Sequence, residues 1–135
     1  MAKQFRLFTI IIILLTGIMT VFAKGIAPEK THGLEVYPIY LNGLGAQIPA
    51  MEGFEFRARK IVVLPGAATA EHSHADRPGI VYVEKGTLNE YRGETMRKVN
   101  AGDTWIEKVE TVHWFENVSQ EAAIILAFDL VPTAE

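Results

Sequence analysis

The sequence predicts an all-β domain, an antiparallel sandwich or barrel, on three observations. Past the first two dozen residues, no window of about a dozen shows a 3.6-residue apolar period. Apolar and β-branched residues gather instead in short runs, several of them alternating with polar neighbours. Turn chemistry built on Gly, Pro, Asn and Asp interrupts these runs every eight to twelve residues.

The chain of 135 residues is one domain's worth. Residues 1–23 read as a signal peptide. Lys3 and Arg6 form a basic head, Leu7 to Phe22 is uncharged and apolar, and Val21-Phe22-Ala23 offers small residues at the cleavage positions. The expected address is therefore secreted or periplasmic, with no membrane contact after cleavage. The alternative is an anchor formed by residues 7–23, at the lower edge of spanning length. The single folded domain is expected over 24–135. Removing Lys3 and Arg6 from the 13 basic residues leaves 11 against 16 acidic ones, a net charge of −5. An acidic domain without a Lys/Arg cluster argues against nucleic-acid binding. Cysteine is absent, so an exported domain would rely on its core alone.

Lys24 to Gly33, with Gly25, Pro28 and His32, reads as an irregular lead-in with His32 at the surface. Leu34 to Leu41 is β-prone but holds Pro38, which suits an edge strand. Asn42-Gly43-Leu44-Gly45 is a turn. Phe54 to Leu64 alternates, with Phe54, Phe56 and Ala58 on one face and Arg57 and Arg59 expected in solvent, and makes one or two strands. Pro65-Gly66 and Arg77-Pro78-Gly79 are breaks. Ile80 to Val83 and Leu88 to Tyr91 read as a hairpin around Lys85-Gly86. After a turn at Asn100-Ala101-Gly102-Asp103, strands are expected at Thr104 to Lys108, Val112 to Asn117 and Ala122 to Val131.

The chemistry gathers in Glu71-His72-Ser73-His74, answered about forty residues later by His113. A His-x-His pair in an extended segment puts both imidazoles on one face, because side chains alternate along a strand. Neutral imidazole is the commonest metal ligand, and a third ring from a neighbouring strand completes a site for a transition metal. Three of the chain's four histidines take part. The plain alternative is an empty polar pocket that takes an organic ligand or nothing.

These positions resemble the two short motifs of the cupin family. Gly66, His72, His74 and Gly86 fall at the first motif's spacing, with Gly79 in place of its Glu. Gly102, His113 and Asn117 fit the second, with Lys108 and Glu110 in place of its Pro and Gly. Seven of ten positions match in order, some fifteen residues separate the motifs, and Gly66 to Asn117 is covered. The resemblance implies a jelly-roll barrel, or double-stranded β-helix, whose closure removes exposed sheet edges. It also implies a divalent ion (iron, manganese, zinc or nickel) on His72, His74 and His113, in one mouth of the barrel.

The family's carboxylate ligand does not carry over, because Gly79 has no side chain. Glu71 and Glu84 are expected to face away, and Asp76 reaches inward only if its loop folds over the mouth. The expected site is three imidazoles plus water, a neutral set that leaves the ion's charge intact and favours anionic ligands. Phe115 is expected inside with His113, while Tyr82, Trp105 and Trp114 are read as packing. Gly86 and Gly102 serve turns, and Asn117 ties one down. The function implied is a small exported metalloprotein acting on or binding a small polar molecule. As an enzyme it would be a metal-dependent oxidoreductase of dioxygenase type, ahead of an isomerase or lyase, with no catalytic residue or general base visible. The alternative is a non-catalytic module that holds a ligand or metal. Cupins often dimerise through edge strands, so a homodimer through Leu34 to Leu41 is a further expectation.

Overall fold

The computed structural model describes residues 25–134, so the leader at 1–23 lies outside the described residues. Nine strands form among them: β1 (His32–Gly43), β2 (Phe54–Ala68), β3 (His72–Ser73), β4 (Gly79–Lys85), β5 (Thr87–Arg92), β6 (Thr95–Asn100), β7 (Thr104–Glu107), β8 (Val112–Glu116) and β9 (Ala123–Pro132). The helical content of the described residues is one short 3-10 turn, Pro49–Met51. Every strand pair is antiparallel. The order β6-β5-β8-β2-β9-β4-β7, with β1 on β2 and β3 on β8, is a sheet curled on itself as a jelly roll. The all-β expectation holds.

β2 joins the two halves of the roll. Its first ten residues lie between β1 and β9, whereas Ala68 pairs with Glu116 of β8. Pro65 and Gly66 were expected to reverse the chain, but they bend it inside the strand. Pro65 offers no N–H, and Gly66 takes a φ of 75°, so the ladder breaks while the chain runs on. β1 is the edge strand its proline suggests: it pairs with β2 alone, with a register shift between Pro38 and Tyr40.

The hairpin expected around Lys85-Gly86 does not form. β4 pairs with β7 and β9, and β5 pairs with β6 and β8, so Gly86 is a corner between the two halves. There it takes a φ of 80°, and a Cβ would lie 2.8 Å from the Ala123 Cα, so only glycine turns this corner. The tight hairpin is β5–β6, closed by Gly93-Glu94 beyond the Arg92–Thr95 pair. Its second strand was not anticipated.

The halves bury Ile61, Val63, Val81, Val83, Leu88, Val99, Phe115 and Ile125 between them. In β2, Arg57 and Arg59 are in phase with buried Ile61 and Val63, not with solvent; Phe54 and Phe56 take the outer face at 39% and 40% exposure. The phase expected there was inverted for the phenylalanines and arginines, although Ala58, expected on the phenylalanine face, is buried. β7 inverts the usual pattern too, with Ile106 58% exposed and Glu107 2% exposed. Leu88→Ala should cost about 2–5 kcal/mol in urea unfolding, as large-to-small core changes do. Ile106→Ala should cost less than about 0.5 kcal/mol. Equal losses for the two would contradict this assignment of faces.

Candidate metal centre

Strand pairing brings the histidines together. His72 of β3 is the direct cross-strand partner of His113 on β8. His74 follows two residues later, its backbone N–H held by the Thr111 carbonyl at 2.9 Å. His74 and His113 are buried, and His72 is half-buried at the mouth. The Nε2 atoms of His74 and His113 lie 3.1 Å apart, and those of His113 and His72 lie 3.2 Å apart.

The far nitrogen of each ring settles its tautomer. Nδ1 donates to the Ala70 carbonyl in His72 (3.0 Å), to the Arg77 carbonyl in His74 (3.2 Å) and to the Glu90 carboxylate in His113 (2.7 Å). With Nδ1 donating, a ring that carries one proton presents a bare Nε2 lone pair to the same point. Burial pushes His72 down to about 4, against the opposing pull of its bond to Ala70, and pushes His74 down to about 4 in the same way. Both rings are therefore neutral at physiological pH.

Two carboxylates that sequence reasoning missed complete the surroundings. Glu90, 1% exposed, accepts from His113, Arg92 and Arg97. Burial pushes its carboxyl up, but those donors outweigh burial and hold it at about 2. Glu107 bonds Trp105 Nε1 through Oε1, which also lies 3.6 Å from His113 Nε2. Its Oε2 is buried and accepts no hydrogen bond, with His74 Nε2 4.0 Å and Arg92 3.5 Å away.

Glu107 lies directly opposite Gly79, so its side chain leaves from the face that a residue at 79 would share. A Cβ on Gly79 would meet the Phe128 carbonyl oxygen at 2.4 Å and the Asp129 Cβ at 2.9 Å. No carboxylate fits at 79, and the neighbouring strand brings one instead. Glu84 pairs with Lys60 at 3.9 Å on the surface, and Glu71 and Asp76 are exposed. None of the three joins the histidines.

The donor set fits a cation. At a metal–nitrogen distance of about 2.1 Å, nitrogens 3.1 and 3.2 Å apart subtend roughly 95–100°, near the right angle of an octahedral face. Three imidazoles with a carboxylate at hand suit a divalent transition metal.

Above the histidines opens a cavity of about 290 Å³, walled in part by Leu34, Ile61, Trp105, Phe115, Arg59 and Arg77. Arg59 is a correction: it was expected in solvent but lines this cavity. Arg57 and Arg59 turn inward because Asp129, 3% exposed and paired across to Arg57, supplies a counter-charge. Arg57 binds it with two bonds of 3.0 and 2.7 Å, and Arg59 with one of 2.7 Å. Trp105 is a wall, not only packing, whereas Trp114 stacks on Tyr91 at 4.0 Å and Tyr82 faces outward. His32 is exposed, as expected. Asn117 holds the Val63 and Glu121 carbonyls at 2.8 Å each.

A family model described as a cupin domain matches residues 59–129. No curated protein matches the chain. Among solved structures, the cupin domain of an XRE family transcriptional regulator from Enterobacter cloacae is similar at 17% identity and a TM-score of 0.57, over 76% of this chain and 100% of that one. An RmlC-like cupin from Shewanella frigidimarina aligns at 21% identity and a TM-score of 0.58, over 76% and 79%. A recombinant oxalate oxidase in complex with glycolate aligns at 23% and 0.54, over 73% and 54%.

Asp129→Ala should destabilise the fold by about 3 kcal/mol, because it strands two inward guanidiniums. Thermal or urea unfolding checks this, and a loss below about 1 kcal/mol would show that water already neutralises them.

Proposed function

The chain belongs to the cupin family, and from that premise we propose an exported cupin that holds one divalent transition metal on His72, His74 and His113. The observation that carries this is the convergence of three Nε2 atoms, each left bare by an acceptor at its Nδ1. Glu107, at 3.6 Å from His113 Nε2, stands as the carboxylate that can close a fourth position. Glu90 positions the His113 ring and raises its basicity, as acceptors behind metal-bound imidazoles do. Bound there, the ion would supply Lewis acidity and, for iron or manganese, redox chemistry. Export rests on residues 1–23 alone, whose pattern supports a periplasmic or secreted address.

Among reactions, oxidation of a small polar molecule is favoured over isomerisation or elimination. Glu90 is tied up by three donors, and Glu107 lies within reach of the histidines. With Glu107 taken up as a metal ligand, the cavity offers no second carboxylate as an acid–base group among the described residues, and oxygen chemistry asks least of one. The likeness in fold to an oxalate oxidase supports the same reading. The same lack of a general base favours the second reading, a module that keeps its ligand without converting it. A homodimer through β1 belongs to either reading, since Val36, Ile39 and Leu41 are 52–55% exposed.

Metal analysis after dialysis against iron(II), manganese(II) or zinc should give one equivalent per chain, and His113→Ala should abolish it. Wild-type protein that emerges metal-free from all three would overturn the reading. Glu90→Gln should weaken retention by about 10–100-fold, as loss of a supporting acceptor does; unchanged affinity would remove its positioning role. Oxygen uptake with a substrate panel separates the two readings, because the binding module gives thermal stabilisation without turnover.

A further inference from the structure

The cavity above the histidines has an uneven charge balance. Arg59 and Arg77 both stand in its wall. Behind it, the single carboxylate of Asp129 faces Arg57 and Arg59 together. Arg57 grips both its oxygens, the two-pronged arrangement in which guanidinium and carboxylate neutralise one another. Arg59 keeps one bond to Oδ2, and its buried Nε donates to nothing. Arg77 donates its Nε to the neutral Ser73 carbonyl at 3.3 Å and forms no ion pair among the described residues. The wall's own carboxylate, Glu107, is turned to the histidines and Arg92, so Arg57, Arg59 and Arg77 together outnumber Asp129 and Glu107.

These charges are near the metal-binding rings. Arg77 lies three residues past His74, its backbone carbonyl accepts from that ring's Nδ1 at 3.2 Å, and Arg59, Arg77, His72 and His74 line one cavity. Burial is the largest influence on Arg59 and acts to destabilise its charge. A half-buried guanidinium with donors to spare is costly unless something supplies the missing anion. The rest of the wall is largely apolar, with Leu34, Ile61, Val81 and Phe115, which suits a ligand with a carbon skeleton better than a bare inorganic anion. A cavity of about 290 Å³ holds a compact molecule, roughly ten non-hydrogen atoms at the packing of liquid water.

We propose that the cavity binds a small organic carboxylate, with its carboxylate paired to Arg59 and Arg77 and its carbon skeleton against the apolar wall. The inference rests on the metal reading for what the ligand's other end meets, but the pairing with arginine does not need the ion.

Pyruvate, lactate and succinate, with lactamide and inorganic phosphate as controls, would be titrated calorimetrically into full-length protein, both chelator-treated and zinc-loaded. At least one carboxylate should bind, lactamide should not, and Arg59→Gln and Arg77→Gln should each weaken binding at least tenfold. Arg77→Gln guards against a folding defect, since its side chain leaves the Asp129 pairs untouched. Zinc stoichiometry, measured alongside, should stay at wild-type level in Arg77→Gln. Zinc retention without carboxylate binding overturns this proposal and leaves the metal reading standing. Arginine-dependent carboxylate binding without zinc retention does the reverse. Equal affinity for lactate and lactamide, binding of phosphate alone, or indifference to both substitutions would each overturn it.

Discussion

Three nitrogen lone pairs aimed at one point are the constraint on which this structure turns. Bare Nε2 atoms 3.1 and 3.2 Å apart repel, and the fold holds them there by bonding every Nδ1 from behind. Two of those acceptors are backbone carbonyls and the third is a buried carboxylate, so rotating any ring would cost a hydrogen bond. A proton on one ring relieves one contact at a time, because its single N–H cannot point at two neighbours. A metal ion relieves all three together. The pairing of β3 with β8, in which His72 faces His113, brings two of the rings together.

Charge around the site is organised in two clusters with different balances. Glu90 is surrounded by Arg92, Arg97 and His113, so a buried carboxylate is fully met. Asp129 is shared between Arg57 and Arg59, and with Arg77 also in the cavity wall the guanidiniums there outnumber Asp129 and Glu107. Glu107 stands near the point where the rings converge, with one oxygen without a hydrogen bond. Such groups are poor contributors to stability. Their concentration around one opening, beside a core that is otherwise mostly apolar, supports the proposal that this opening is a binding site.

Much of this was legible in the sequence. The strands announced themselves by short apolar runs and turn residues, and His-x-His in an extended segment can point only to one face. Partnership was not legible. Lys85-Gly86 has the chemistry of a hairpin, yet Gly86 turns a corner between halves of the roll because both edges of β4 are already taken. Arg57 and Arg59 looked solvated because Phe54 and Phe56 beside them looked buried; the true phase follows Ile61 and Val63, and only Asp129 on β9 makes it tolerable. Glu90 could have been found, since it is two residues from buried Leu88 on the same face. Glu107 could not, because its alternation argues for Ile106 inside, and its meaning depends on the cross-strand register with Gly79.

The most direct test of convergence is the X-ray absorption spectrum of protein loaded with one equivalent of zinc. The account predicts three imidazoles in the first shell, with nitrogen or oxygen at about 2.0–2.1 Å and the outer-shell scattering of three rings. A spectrum with one ring or none, or a fully hydrated ion, would contradict it.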